Sequence, residues 1–149
     1  MLSRNLHIAI AKAPRPRVLV VDDEPLIRWS LAEALGERGY SVVEAGTGRA
    51  AIDEVLASSE PFGVIVLDLR LPDFDNLSLL TRLHELAPEA RIIMMTAHGT
   101  SDVAQEAEAH GAYGFMTKPF ELAVMASLVG QASRSAGPDS SPSGNHSLT

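Results

Sequence analysis

The chain carries five short, largely apolar runs, at 17–22, 41–45, 64–68, 91–96 and 112–117, each followed by a stretch of helical periodicity. Within VIVL and IIMM the apolar character is continuous rather than alternating, which marks strands covered on both faces. The intervening segments read as helices. In the first, Ile27, Leu31, Ala34 and Leu35 share one face, and Gly39 stands where a left-handed C-terminal cap falls. Further helices are expected over 48–58, 76–87, 101–110 and 121–132, with Pro88 stopping the third and Gly111 ending the fourth. Five βα units joined by right-handed crossovers give a doubly wound, open parallel α/β sheet. In such sheets ligands bind beyond the carboxyl ends of the strands, near the point where strand order reverses.

With 149 residues the chain has the size of one domain. The expected organisation is an N-terminal arm over 1–16, a globular unit over 17–133 and a tail over 134–149. The tail, rich in Ser, Gly and Pro, holds too little apolar surface to offset its ordering entropy. No apolar run approaches the ~20 residues that span a bilayer, and the start lacks a secretory pattern, so the default expectation is a cytoplasmic protein away from membranes. The absence of cysteine excludes disulfides, thiolate nucleophiles and sulfur-ligated metals. A net charge of -7 argues against direct nucleic-acid binding, which needs a basic face.

What the runs end on carries the chemistry. Asp22 and Asp23 close the first, Asp68 the third, Thr96 the fourth, and Lys118 follows the fifth. Three carboxylates, a hydroxyl and an ammonium along one sheet edge suit a divalent cation and a phosphoryl group. Clustered carboxylates repel unless a cation intervenes, and magnesium is hard, prefers oxygen and bridges readily to phosphate. The alternative is that Asp22, Asp23 and Glu24 only cap the next helix, with Pro25 in its first turn. Asp68 reads as the central carboxylate, with metal on one oxygen and Lys118 near the other. Such a carboxylate is a suitable nucleophile toward phosphorus, and its product is a short-lived acyl phosphate. Thr96, next to the small Ala97, is placed to donate to a phosphoryl oxygen. The isomer of the Lys118–Pro119 bond is left open.

The ordered set VLVVDDEP, VIVLDLRLPD, IIMMTAHG and GAYGFMTKPF resembles the receiver domain of two-component response regulators over about residues 17–132. This resemblance implies the CheY-like, flavodoxin-type fold: five parallel strands in order 2-1-3-4-5 with five helices on both faces. It implies Asp68 as the phosphoacceptor for a sensor histidine kinase or phosphotransfer protein. Asp23, Asp68 and the Arg70 backbone carbonyl would bind Mg2+ directly, and Asp22 would act through water. Thr96 and Lys118 would bind the phosphoryl group, and Thr96 with Phe115 would form the switch pair. Phe115 lacks a hydroxyl, so its part rests on packing. The family usually has Gly four positions after Pro72; here stands Asn76, which tolerates turn geometry. IRWSLAEAL and MTAHGT resemble receivers of the nitrogen-regulatory class, normally fused to an ATPase and a DNA-binding module. Neither follows here, so the effector lies outside this sequence or the receiver stands alone.

Two other functions compete with the switch. An aspartyl-phosphate hydrolase would use the same groups, but normally carries D-x-D, whereas Asp68 is followed by Leu69 and Arg70. A receiver used only for binding would normally have lost a key residue. Arg70, Ala97 and His98 are expected to flank the phosphoryl site. Trp29 is expected outward on the first helix as a docking residue, the alternatives being cover by the N-terminal arm or exposure without a partner. Residues 100–132 are the expected effector or dimer face. His84 and His110 have no companion at a ligand spacing, so a zinc site is not expected.

Overall fold

The computed structural model describes residues 16–75 and 77–135. Of the expected arm only Pro16 falls within these, and of the expected tail only Arg134 and Ser135; Asn76 also lies outside them. The elements run β1 (Arg17–Val21), α1 (Pro25–Glu37), β2 (Ser41–Ala45), α2 (Gly48–Ala57), β3 (Val64–Asp68), α3 (Ser78–Leu86), β4 (Arg91–Thr96), α4 (Ser101–Ala109), β5 (Ala112–Thr117) and α5 (Leu122–Ser135). All strand pairs are parallel and the order is β2-β1-β3-β4-β5.

The continuous apolar runs divide, residue by residue, into two cores. Leu19, Val21, Ile65, Leu67, Ile92 and Met94 face one side, against Ala51 and Ile52 of α2, Leu79, Leu80 and Leu83 of α3, and Ala107 of α4. Val18, Val20, Val64, Val66, Ile93 and Met95 face the other, against Leu31 and Leu35 of α1 and Met125, Leu128 and Val129 of α5. Successive strand side chains point to opposite faces, so a strand buried on both has no polar position to spare. The β4–β5 register slips once, with Ile92 pairing with Ala112 and Ile93 with Gly114.

Local signals set the element ends. Pro25 occupies the first turn of α1, Thr47 and Thr100 accept from Ala50 and Val103 at the starts of α2 and α4, and Gly39 and Gly111 have φ of 96° and 108°. α5 runs past the expected end at 132. Ser133 stays within it, its hydroxyl donating to the Gly130 carbonyl at 3.1 Å, and Arg134 places positive charge in the last turn. The Lys118–Pro119 bond is cis. Among the described residues no helix is long and apolar enough to cross a membrane.

Candidate functional site

β1 is flanked by β2 on one side and β3 on the other, so the chain reverses its winding at the β1–β3 pair. The crevice this opens lies at the carboxyl ends of those two strands. The hydrogen-bond ladders continue just past the strand ends and fix the backbone there. Asp22 N–H donates to the Ala45 carbonyl at 3.1 Å, Leu69 N–H to Met95 at 2.8 Å and Lys118 N–H to Thr96 at 2.6 Å. Asp22 therefore sits one residue beyond β1, still registered to the sheet.

Lys118 crosses the ends of the sheet to reach the crevice. Its Nζ donates to Asp22 Oδ2 at 2.9 Å, Asp68 Oδ2 at 3.2 Å and Glu24 Oε1 at 3.2 Å. The side chains of Asp22, Asp68 and Lys118 are 0%, 6% and 11% exposed. The remaining carboxylate oxygens take backbone donors: Asp22 Oδ1 accepts Glu24 N–H at 2.9 Å, and Asp68 Oδ1 accepts Arg70 N–H at 3.1 Å. Asp22 and Asp68 thus each use one oxygen to shape their own loop and offer the other to Lys118.

Burial pushes the Asp68 carboxyl up to about 6; the Arg70 N–H opposes this, the nearby Asp22 charge adds to it and Lys118 opposes it. Burial also works against the Lys118 charge. The Asp22 hydrogen bond, the charges of Asp68 and Asp22 and the contact with Glu24 outweigh it and hold the ammonium above the ordinary lysine range. One ammonium faces three carboxylates, so the crevice keeps an excess of negative charge.

Asp22, Glu24 and Asp68 each offer an oxygen, all within 4.8 Å of one another, a donor set that a hard divalent cation accepts. From the sequence Glu24 is expected only as a helix cap. It holds the N-cap position, yet its side chain makes no cap bond and turns to Lys118. Asp23, the adjacent acid, is exposed and is not part of this trio. The neighbouring strand ends bring Thr96, which is buried, with its hydroxyl oxygen accepting His98 N–H at 3.2 Å. Arg70, Ala97 and His98 are exposed around it. Phe115 is half-buried on the α2–α3–α4 side, its ring 2.7 Å from where a Cβ on Gly99 would stand.

Arg28 escaped the sequence reading. Its Nη1 donates to the Asp22 carbonyl at 2.8 Å and its Nε to Glu44 Oε1 at 3.2 Å, tying the β1–α1 turn to β2. The nearest signal was its position one turn into a helix that starts beside the acids.

This fold and this edge define a receiver-type phosphoacceptor domain. Residues 18–129 match the family model described as the response regulator receiver domain, and the chain belongs to that family. It is 36% identical over 125 residues to the response regulator protein PilR of Pseudomonas aeruginosa, covering 84% of this chain and 28% of that protein. It is 33% identical to sporulation initiation phosphotransferase F of Bacillus subtilis over 71% of this chain and 84% of that one. Among solved structures, the beryllofluoride-activated NtrC4 receiver domain dimer superposes with a TM-score of 0.72 at 38% identity, covering 79% of this chain and 96% of that one. The chain thus spans little more than a quarter of PilR. Domains of this family are phosphoacceptor switches in two-component signalling rather than enzymes in the usual sense.

Proposed function

We propose that this chain takes a phosphoryl group from the phosphohistidine of a sensor kinase, or of a phosphotransfer protein, onto Asp68. The observation that carries the reading is the buried Asp22–Lys118–Asp68 cluster at the sheet's switch point. One Asp68 carboxylate oxygen forms the new P–O bond as the P–N bond to the kinase imidazole breaks, and the imidazole leaves with a proton. Lys118 turns from pairing carboxylates to pairing phosphoryl oxygens, which suits a compact point charge. Thr96 donates its hydroxyl to a phosphoryl oxygen, and Phe115 packs into the space this opens.

The donor chemistry of Asp22, Glu24 and Asp68 fits Mg2+. Asp23, Asp68 and the Arg70 carbonyl are proposed to hold the ion directly, with Asp22 acting through water and Glu24 near enough to take part. When bound, the cation neutralises charge on the transferring group. Arg70, Ala97 and His98 flank the phosphoryl group and set water access to it.

Two faces are assigned to partners. Leu26 and Trp29 are 73% and 56% exposed on α1, beside the acidic edge, and form an apolar step for the kinase or phosphotransfer helices. Over residues 100–132, Phe115, Met116, Phe120 and Val124 line a cavity of about 580 Å³ between the β4–α4 loop, β5 and α5. This is the face proposed for an effector or a second copy; the NtrC4 receiver domain to which this chain is similar is a dimer.

Incubation with acetyl phosphate and magnesium, followed by intact mass measurement, tests the reading. The expected result is a gain of one phosphoryl group that Asp68→Asn abolishes. Multiple turnover on general phosphomonoesters points instead to a hydrolase, and no reaction to a binding module.

A further inference from the structure

The loop that follows Asp68 is fastened to a helix far from it in sequence. Asp73 Oδ1 accepts Gly48 N–H at 3.0 Å and its Oδ2 accepts Arg49 N–H at 2.9 Å, both in the first turn of α2. Thr47, the local N-cap, already accepts Ala50 N–H at 3.0 Å. The helix start is therefore capped twice, once by its own neighbour and once from the phosphoacceptor loop. The first N–H groups of a helix have no partner within it, and a carboxylate that takes two of them is held in direction as well as distance. Burial acts against the Asp73 charge, but the Arg49 and Gly48 donors outweigh it and hold the carboxyl below its ordinary range.

A steric lock lies beside this polar one. A Cβ on Gly48 would stand 2.2 Å from Phe74 Cδ2, 2.7 Å from its Cε2 and 3.0 Å from Leu79 Cδ2. The Phe74 ring occupies the notch that the missing side chain leaves. Phe74 also forms an antiparallel bridge with the buried Leu71. The loop is thus pinned at its start by Arg70 N–H on Asp68 and at its far end by Asp73 and Phe74 on α2.

We infer that Asp73 is a positioning residue of the phosphoacceptor site, gripping the start of α2 so that the segment carrying the Arg70 carbonyl is held in place for the cation. The inference rests on the magnesium reading given above. Groups that orient metal ligands from outside typically account for a 10- to 100-fold effect on affinity. Asp73 lies three residues from Arg70, so a loosened grip reaches that carbonyl directly.

Calorimetric titration of Mg2+ into the full chain tests it, alongside thermal melts and acetyl phosphate kinetics. Asp73→Ala is expected to weaken Mg2+ binding about tenfold and to recover its phosphorylation rate at saturating Mg2+. Asp73→Asn, which keeps one carbonyl acceptor, should fall between it and the parent. Gly48→Ala keeps the Asp73 carboxylate but displaces Phe74 beside it and disturbs the Gly48 N–H that Asp73 accepts, so it should weaken Mg2+ binding too, which keeps the test decisive if Asp73→Ala does not fold. If the melts shift but Mg2+ affinity is unchanged in Asp73→Asn and Gly48→Ala, the clamp is merely structural and the inference fails. A parent protein that binds no Mg2+ overturns the magnesium reading itself, and the inference with it.

Discussion

Asp68 is the residue whose environment says most about its work. Its raised carboxyl, about 6 against 3.8 in a free chain, means that the folded state favours the protonated acid. The stabilising contribution is therefore complete below about 3.8 and disappears as pH rises through about 6. In EDTA, urea denaturation should show stability falling across that window by at most about 3 kcal/mol, since water at the crevice mouth screens part of the effect. Asp68→Asn should remove that part of the slope and raise the melting temperature at pH 7.5, while saturating Mg2+ should reverse the slope in the parent. A flat profile in EDTA would contradict the assigned burial effect. Lys118→Ala strands two buried carboxylates and should cost about 3 kcal/mol at pH 7.5, but less at pH 5, where Asp68 takes up a proton. Denaturation at both pH values checks this. At this scale the sequence placed Asp22, Asp23, Asp68, Thr96 and Lys118 along one edge because each ends or follows an apolar run; the structure joins Asp22, Asp68 and Lys118 and leaves Asp23 exposed beside them. The sequence did not show Glu24, Arg28 or Asp73, whose partners lie on other elements and are chosen by loop geometry rather than spacing.

At the scale of elements, the strand positions were legible because short, continuous apolar runs such as IIMM, bounded by turn signals and alternating with helical periodicity, fit strands buried on both faces. Ends were less so. Asp22 drops out of β1 because β3 no longer pairs beyond Val21, and α5 continues to Ser135 because nothing before it breaks the helix. Glycine makes the contrast measurable. Gly111 combines a φ of 108° with the His84 ring 2.9 Å from where a Cβ would stand, so Gly111→Ala should destabilise by about 1–2 kcal/mol. Gly36, inside α1 with nothing within 4 Å of a built Cβ, is the opposite case. Gly36→Ala should stabilise by about 0.5–1 kcal/mol. Thermal melts of the two variants should move in opposite directions, and a shift of the same sign in both would refute the account.

Over the whole molecule, parallel winding sends every strand's carboxyl end to one edge, which is why groups as far apart as Asp22 and Lys118 share a crevice. The order of strands is a property of how the chain folds back; the alternation of runs and helices does not fix it, and the order 2-1-3-4-5 was legible only through the resemblance to receiver domains, which the sheet bears out. The switch proposed for Thr96 and Phe115 makes a global prediction. Beryllofluoride with Mg2+ should slow hydrogen exchange most over residues 96–121, around the β4–α4 loop and β5, and much less in α1. Changes spread evenly over all five helices would argue against it.

Lys118 stands 96 positions after Asp22 and 50 after Asp68. A nascent chain emerging from the ribosome therefore has both acids long before it has their counter-ion. Until the last strand docks on β4, the kinase meets only an unfinished pocket. Responsiveness to a signal therefore waits on the fifth strand and Lys118, so a copy cut short before them is expected to stay silent.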